Sequence, residues 1–451
     1  MTTAQERQVI QDQFKERLDE DDLLNCMRCG FCLPKCPTYI ESGYQESHSP
    51  RGRIAVMKAV ADGLIEPDED VERSLNMCLG CRACEPVCPP GVNYGHLLEE
   101  TRDIINQNKK HTLPIRAIRK TVFQGLFPHQ NRMQSLTGML NIYQRSGLQK
   151  IVQKSGMLGL LPNSLTVMEK VIPNVPSKKE MKDRPEFLSA KSPLKKRVAF
   201  FSGCLMDTVF METNNATMEL LQIAGCEIVI PTTQACCGAL HGHSGEKEGA
   251  KELAKRNILA FEELNVDYII TNAGGCGAFL IDYDHLLRDE PEWNERAKAF
   301  STKLKDVSSI LVELNFHKEN HLELPEQVIT YQDSCHLRNV MKTSSEPRLL
   351  IKAINNTNYH EMKDADSCCG SAGIYNIVES EMSMKILDSK MKATKATEAT
   401  TIVTTNPGCL LQMKLGIEKE GLTDKVRAVH LVDLLLEAYK VASDKMKVVN
   451  Y

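Results

Sequence analysis

The chain has 451 residues, 42% of them hydrophobic, and a net charge of −4 at neutral pH. Its length is enough for about three domains of ordinary size, and the slightly negative charge argues against a nucleic-acid binder. Residues 1–7 are polar and mixed in charge, unlike a signal peptide, and no stretch approaches the roughly 20 apolar residues of a membrane span. We therefore expect a cytoplasmic globular protein, either soluble or held peripherally at the inner face of the cell membrane.

Residues 4–24 have the pattern of a charged amphipathic helix that leads into the first of two cysteine runs. Both runs read Cys-x2-Cys-x2-Cys-x3-Cys-Pro, from Cys26 to Pro37 and from Cys78 to Pro89. Bacterial two-cluster ferredoxins bind [4Fe–4S] clusters with this spacing, and the fourth cysteine of each run ligates the other cluster. Zinc sites more often show paired Cys-x2-Cys knuckles than such triplets.

The two runs therefore predict two [4Fe–4S] clusters with crossed ligands in a mainly helical ferredoxin-type domain over residues 1–105. The predicted ligands are Cys26, Cys29, Cys32 and Cys88 for the first cluster and Cys78, Cys81, Cys84 and Cys36 for the second.

Between the runs, residues 54–60 have the apolar face of a helix that should pack between the clusters. Arg51 and Arg53 precede it. These two arginines either offset cluster charge or dock a partner, or they form a solvated basic turn. After the second run, apolar residues over 97–105 predict a further helix.

Residues 106–194 form a basic connector in which Lys and Arg far outnumber Asp and Glu. Apolar residues recur at helical spacing around Ile115, Ile118, Val122 and Leu126, and a moderately apolar stretch follows over 151–172. The connector is either a solvated helical link, a face for a partner subunit, or a contact with an anionic membrane surface. The sequence favours the first two over membrane contact. Four prolines between residues 173 and 193 indicate a linker.

From residue 195 the chain alternates β-branched runs with helical patterns, which predicts α/β units around a mainly parallel sheet. The predicted strands cover residues 197–201, 227–230, 268–271, 328–331 and 401–404. Cys204, Cys237 and Cys276 recur 131, 132 and 133 residues later as Cys335, Cys369 and Cys409. Such a constant offset indicates a duplication, with domains over 195–322 and 323–451.

Each repeat carries four thiols, and Cys204, Cys276, Cys335 and Cys409 closely follow predicted strands, where open α/β sheets bind ligands. The candidate metal ligands are Cys204, Cys236, Cys237 and Cys276 in the first repeat and Cys335, Cys368, Cys369 and Cys409 in the second. Adjacent cysteines suit a multi-iron cluster better than one tetrahedral metal. His241, His243, His336 and Arg338 are neighbours in sequence, and they either act on such a site or are ordinary loop residues. Cys226 is predicted to be a buried, inert thiol.

The repeat resembles the cysteine-rich CCG domain of heterodisulfide reductase subunits. The fuller pattern of that domain ends in Cys-x-x-Cys, but the last position here is Phe279 in the first repeat and Gln412 in the second. The resemblance therefore leaves three alternatives for each repeat: an additional iron–sulfur cluster, a zinc ion, or a relic site without metal.

The domain order, the segment 50–54, and the motifs around Cys237 and Cys276 resemble the glycolate oxidase (glycolate dehydrogenase) iron–sulfur subunits. This resemblance implies an α+β fold, in which a ferredoxin domain of the 2[4Fe–4S] type precedes two duplicated α/β CCG domains. It also implies FAD-containing partner subunits that oxidise glycolate to glyoxylate, and a quinone or another electron acceptor.

The sequence lacks a dinucleotide-binding or Walker motif and an evident catalytic constellation, so we expect electron transfer and no catalytic residue in this chain. Two alternatives stay open. The chain could be the cluster subunit of a related lactate or glycerol-3-phosphate dehydrogenase, or a thiol–disulfide redox protein like heterodisulfide reductase.

Overall fold

The structure, a computed structural model, describes residues 4–155, 169 and 171–449. It confirms the mixed fold class: a helical amino-terminal domain and a helical connector precede two α/β units. Within the described ranges, every helix is too short or too polar to cross a membrane.

The amino-terminal domain is built from helices packed around one apolar core that contains Phe14, Met57 and Leu75. These helices are α1 Ala4–Arg17, α2 Glu20–Asn25, α3 Pro37–Glu41, α4 Pro50–Ala61, α5 Glu69–Asn76 and α6 Tyr94–Asn108. The single helix predicted over residues 4–24 is wrong. The chain breaks at Asp19, whose carboxylate caps α2 by accepting a hydrogen bond from the backbone N–H of Asp22. An aspartate is among the preferred residues at this position.

Helix α4 is the central helix of this domain and contains the stretch predicted over 54–60. It starts after Ser49, whose hydroxyl accepts a hydrogen bond from the N–H of Gly52 at 2.9 Å, and Pro50 occupies its first position. Its buried face includes Arg53, which is fully buried. The solvated-turn alternative is therefore wrong for Arg53.

The described part of the connector is helical. It contains α7 Leu113–Arg119, a π-helical segment Lys120–Leu126, α8 Gln130–Arg145, α9 Leu148–Lys154 and α10 Lys178–Lys182. Residues 156–168, the middle of the apolar stretch predicted over 151–172, lie outside the described residues.

The two α/β units have the same sheet topology. The first sheet has the strand order β1-β3-β2-β4-β5 and the second has β7-β6-β8-β9. All pairs are parallel except β1 with β3. The strands are β1 Phe187–Leu188, β2 Lys196–Phe200, β3 Cys226–Val229, β4 Tyr268–Thr271, β5 Leu304–Asp306, β6 Glu323–Tyr331, β7 Asn355–Tyr359, β8 Thr401–Thr404 and β9 Arg427–His430. Without the edge strand β1, the two orders are identical, so the duplication predicted from the cysteines extends to the fold.

Helices cover both sheets, and one apolar core joins the units. The helices of the first unit are α11 Met211–Ile223, α12 Ala239–His243, α13 Lys247–Phe261, α14 Gly274–Ile281, α15 Tyr283–Leu286, α16 Pro291–Ser301, α17 Val307–Glu313 and α18 Phe316–Glu319. Those of the second are α19 Cys335–Asn339, α20 Ser345–Lys352, α21 Tyr375–Val378, α22 Ser380–Lys395, α23 Pro407–Lys419 and α24 Leu431–Val449. Phe200 of β2, Tyr331 of β6 and Leu435 of α24 belong to the same core, so the units form one body.

Candidate cluster-binding sites

The two cysteine loops of the amino-terminal domain have positive φ angles at the same two positions. In the first loop Arg28 and Gly30 have positive φ angles of 56° and 90°, and in the second the equivalent Gly80 and Arg82 have 65° and 56°. A positive φ is uncommon for a residue other than glycine, and here each loop has one arginine in that region. The repeated cysteine spacing is therefore also a repeated loop conformation.

The thiols predicted to bind the first cluster lie around one pocket. Cys26, Cys29, Cys32 and Cys88 all line one open pocket at the protein surface. Cys29 is exposed and the other three are partly buried. Cys88 comes from the second run, so the fold brings together the crossed set that the ferredoxin pattern requires. Cys84 lines the same pocket and connects it to the second set.

The thiols predicted to bind the second cluster are more deeply placed. Cys36, Cys78 and Cys84 are buried, and Cys81 is partly exposed. Burial raises the pKa of the Cys84 thiol well above its ordinary value, and the neighbouring charges of Cys81, Glu85, Cys78 and Cys36 add to that shift. These interactions group Cys36, from the first run, with the three thiols of the second.

Arg53 and Arg102 are cations beside this second site, and Arg102 donates to the carbonyl oxygen of Cys78 at 2.6 Å. Arg53 is the buried one. Its Nε donates to the carbonyl oxygen of Ser74 at 2.7 Å and its Nη2 to the hydroxyl of Thr38 at 3.1 Å. Burial would lower the pKa of Arg53, but the charges of Cys78 and other neighbours hold it above its usual range. Conversely, burial opposes ionisation of Cys78, and yet the charge of Arg53 lowers the pKa of that thiol.

The second site fits an anionic metal cluster. Arg53 Nη1 is buried and has no hydrogen-bond partner among the described residues, so a charged donor is left over beside four cysteines. Hydrogen bonds and charges near the sulfurs are the means by which proteins tune iron–sulfur clusters. A buried guanidinium next to thiolates therefore matches the chemistry of the predicted cofactor.

The first α/β unit brings its four predicted thiols together. Cys204, which follows β2, has its Sγ 3.4 Å from that of Cys236. Cys237 in turn interacts with Cys236 and with Cys276 in the first turn of α14. The thiols lie beyond the carboxyl ends of the parallel strands, where ligands bind in open α/β folds.

The second unit repeats this arrangement. Cys335 interacts with Cys368, and Cys369 interacts with both Cys368 and Cys409. The hydrogen bond with Cys368 lowers the pKa of Cys369, but the hydrogen bond with Cys409 and burial raise it well above its ordinary value. Among the residues that the structure describes, no three or more His, Cys, Asp or Glu are arranged to hold a single metal ion.

The position of the missing fifth cysteine is filled in each unit. Phe279 packs against Gly238 and Gly242 in the first unit. In the second, Gln412 donates to Ser383 Oγ at 3.1 Å and accepts from Asn376 at 3.3 Å. Both side chains are buried. Each unit therefore has four thiols and a packed side chain at the position of the fifth cysteine.

The second cysteine loop packs directly against the second α/β unit. His336 Nε2 is 2.9 Å from the carbonyl oxygen of Gly80, and Asn339 donates to that of Cys81 at 2.9 Å. Tyr375 donates from its hydroxyl to the carbonyl oxygen of Met77 at 3.0 Å. Cys81 and Cys335 are close enough that the charge of Cys335 raises the pKa of Cys81, after the larger effect of burial.

The two α/β units meet near their own thiols. The N–H of Gly275 donates to Asn406 Oδ1 at 3.0 Å, and Cys276 packs against the apolar cluster that contains Cys369 and Cys409. The four thiol groups therefore follow one another through the molecule: first loop, second loop, second unit, first unit.

The predicted histidines and Arg338 contact other groups than the thiols. His241 lies 2.8 Å from the carbonyl oxygen of Phe123 in the connector, and His243 Nδ1 lies 2.7 Å from Glu99 on α6. Arg338 donates to Asp333 at 3.2 Å. His243 and His336 thus join the α/β units to the amino-terminal domain. Sequence reasoning missed Asn339 and Tyr375 in the same interface, because no local pattern marks a residue that contacts a loop some 260–300 positions away.

Comparisons with known proteins agree with this architecture. A family model described as "4Fe-4S dicluster domain" matches residues 22–92, and one described as "Cysteine-rich domain" matches residues 198–281 and 329–414. A third, "Glycolate oxidase iron-sulfur subunit, linker region", matches residues 114–172. Among solved structures, a hypothetical protein from Helicobacter pylori has a TM-score of 0.51 at 11% identity, and the match covers 96% of this chain and 76% of that protein. It supports the fold alone.

Relatives of known description match nearly the whole chain. The "Probable glycolate oxidase iron-sulfur subunit" of Bacillus subtilis (strain 168) is 73% identical over 97% of this chain and 99% of its own length. The "Glycolate oxidase iron-sulfur subunit" of Escherichia coli (strain K12) is 29% identical over 93% of this chain and 96% of its own. The "Lactate utilization protein A" of Halalkalibacterium halodurans is 30% identical, but over only 53% of this chain and 96% of its own. The chain belongs to the family of glycolate oxidase iron–sulfur subunits.

Proposed function

We propose that this chain is the electron-transfer subunit of a flavin-dependent glycolate oxidase complex. In this role it accepts electrons from the reduced flavin of a partner subunit and passes them to a quinone or another acceptor. The oxidation of glycolate to glyoxylate takes place on the partner. The name of the relative that shares 73% identity supports glycolate as the substrate of the complex, whereas the lactate utilization proteins match only about half of the chain.

One observation carries this proposal. Four groups of cysteines follow one another from the protein surface into the α/β units, and the second loop touches the second unit at Cys81 and Cys335. A binding module or scaffold would not need thiol groups in contact across a domain interface. A relay does, because electrons must pass between neighbouring redox sites.

We assign Cys26, Cys29, Cys32 and Cys88 to one [4Fe–4S] cluster and Cys78, Cys81, Cys84 and Cys36 to the other. When bound, such clusters supply one-electron transfer at potentials set by their surroundings. The chain's own contribution is to hold the thiols, to place Arg53 beside the second set, and to bury that set under the second α/β unit.

We also propose that the α/β units bind iron through Cys204, Cys236, Cys237 and Cys276 and through Cys335, Cys368, Cys369 and Cys409. About eight irons per chain would mean two ferredoxin clusters only, whereas more iron supports clusters in the units. The matched variants are Cys369→Ala and Cys226→Ala, since Cys226 is also fully buried but lies in β3. We expect iron loss in the first variant only. Equal iron in both variants would contradict the assignment.

Electrons enter most readily at the first loop, because its surface is open. Met27 and Phe31 are 65% and 62% exposed beside Cys29, whereas the equivalent Leu79 and Ala83 of the second loop are 8% and 9% exposed. Leu79 packs against Cys368 and Tyr375 of the second unit. The second loop is covered by the second unit, whereas the first loop is exposed. We therefore propose that a flavin-bearing partner docks onto the first loop.

The experiment that tests the function uses the intact complex. Membranes or extracts that contain the flavin subunits are assayed for glycolate-dependent reduction of the physiological acceptor, with and without this chain. We expect that reduction to be lost without the chain, while glycolate oxidation with an artificial dye that accepts electrons from flavin persists. Undiminished reduction of the physiological acceptor in the absence of the chain would refute the proposal.

A further inference from the structure

Helix α8 of the connector turns a mainly polar face inward and three large apolar side chains outward. Gln134, Thr137 and Asn141 are buried, and Asn141 donates to the carbonyl oxygen of Val175 at 2.6 Å. On the opposite face, Leu136, Met139 and Ile142 are 52%, 67% and 67% exposed. A surface helix normally turns apolar residues toward the core and polar residues toward water. The outward apolar side chains of α8 therefore suit contact with an apolar surface.

The neighbouring helices carry the same kind of exposed residues. Leu113, Ile115 and Ile118 of α7 and Leu148 and Ile151 of α9 are all exposed. Eight large apolar side chains are thus exposed within about 40 residues, which is more than the scattered exposure that soluble surfaces normally show.

The charge of this segment is as unusual as its polarity. Residues 104–168 contain nine Lys or Arg and no Asp or Glu, in a chain whose net charge is −4. Lys109 and Arg119 pair with Glu72 and Glu246 of the rest of the molecule, so their charges are neutralised within the protein. Five further cations, on or directly beside the same helices, are exposed: Arg116, Lys120, Arg132, Arg145 and Lys150.

We propose that α7–α9 form a membrane-contact surface that lies on an anionic lipid bilayer. Interfacial helices bury an apolar face at the boundary between headgroups and acyl chains, and they place Lys and Arg beside it. Clusters of four to eight basic residues next to such a face are attracted by anionic lipids. Leu136, Met139 and Ile142 supply the apolar contact, and the five exposed cations supply the attraction.

Charge distinguishes this occupant from a protein partner. The core of a protein–protein interface is depleted of charged residues and of Lys in particular, although Arg and Met are enriched there. A segment of about 65 residues without one acidic side chain instead complements a surface of uniform negative charge, and an anionic bilayer is such a surface. The sequence alone favours a solvated link or a partner face over membrane contact for the connector. The outward apolar side chains of α8 instead favour membrane contact.

The test uses the full chain with its clusters assembled anaerobically. Co-sedimentation is measured with vesicles of phosphatidylcholine alone and of phosphatidylcholine mixed with phosphatidylglycerol, at low and high salt. We expect binding to the anionic vesicles only, weakened by salt because the attraction is partly electrostatic. The triple variant Leu136→Ser, Met139→Ser, Ile142→Ser should bind about tenfold less or weaker still.

The matched control is Leu259→Ser with Leu349→Ser, two leucines of similar exposure outside the connector, which should leave binding unchanged. Iron content and circular dichroism check that each variant is folded. Three results would overturn the proposal: no binding of the wild-type chain to anionic vesicles, equal binding to neutral ones, or wild-type binding by the triple variant. If the triple variant binds vesicles normally but no longer co-purifies with flavin-bearing subunits, the face is a protein interface instead.

Discussion

Replacing Arg53 by methionine should lower the reduction potential of one cluster and leave the other nearly unchanged. The guanidinium donates to Thr38 Oγ1 at 3.1 Å, and that hydroxyl lies 3.3 Å from Cys36 Sγ. The cation is therefore within about 6 Å of a sulfur proposed to bind the second cluster. A cation favours the reduced, more negative state of a nearby cluster, and Arg53→Met removes that stabilisation.

The magnitude follows from Coulomb's law. Two unit charges about 6 Å apart interact by about 3 kcal/mol at an effective dielectric constant of about 20. For a one-electron step this corresponds to a fall of about 120 mV in the midpoint potential. The thiols proposed to bind the first cluster line the open pocket, where water weakens the effect, so the potential of that cluster should move by much less.

The assay is a potentiometric titration of the anaerobically purified chain, followed by low-temperature electron paramagnetic resonance. Arg53→Lys is the matched variant, since it keeps the charge but loses the planar guanidinium fork. Arg53→Lys should fold even if Arg53→Met does not. In Arg53→Lys the potential of the second cluster should stay closer to the wild-type value. Two unchanged potentials in Arg53→Met, or an upward shift, would refute the placement of Arg53 beside the second cluster.

Three further predictions concern separate parts of the molecule. Tyr375→Phe removes the hydroxyl that donates to the carbonyl oxygen of Met77. It should lower the free energy of unfolding, measured by urea titration, by about 1–2 kcal/mol. The control Tyr44→Phe, at an exposed site, should change that free energy little. Burial raises the pKa of Asp306 to about 6, so the folded protein binds the extra proton and stability falls as the pH rises from about 4 to 6. Asp306→Asn should reduce the stability difference between about pH 5 and pH 7.5 by about 1 kcal/mol; an unchanged pH profile would contradict the raised pKa. Phe31→Glu should weaken co-purification with the flavin subunits while the iron content stays normal, whereas wild-type co-purification would argue against docking at the first loop.

Local sequence patterns predicted most of the regular structure. The five predicted strands are present, although β6 begins at Glu323, five residues before its predicted start. The strands that were missed lie at sheet edges and are short or rich in polar residues, so their apolar signature is weak. Residues Asn355–Tyr359 of β7 read Asn-Asn-Thr-Asn-Tyr and are largely exposed. Strand propensity favours β-branched and aromatic residues that pack on a half-buried surface, so this strand exists only because β6 lies beside it.

The candidate sites were predictable to the extent that cysteine spacing determines them. Spacing within a run and the offset between repeats gave every thiol group, because each group is assembled from short loops after a strand or helix. The order of the groups in space was not predictable. It depends on contacts such as that of Asn339 with Cys81, which involve no local periodicity. The burial of Arg53 also required the fold, since the same Pro-Arg-Gly-Arg sequence leaves Arg51 partly exposed.

The two α/β units are duplicates in topology but not in position, and a few substitutions explain the difference. By the repeat offset, His336 and Asn339 of the second unit correspond to Leu205 and Thr208 of the first. Leu205 is 37% exposed and Thr208 is buried within its own unit, so the first unit lacks the two polar side chains that bond to the second cysteine loop. Only the second unit therefore has side chains at these two positions that bond to the second cysteine loop. Its thiols lie against that loop, whereas Cys276 of the first unit packs against Cys369 and Cys409 of the second. If both units bind clusters as proposed, the duplication has placed the two sites in series behind the second loop.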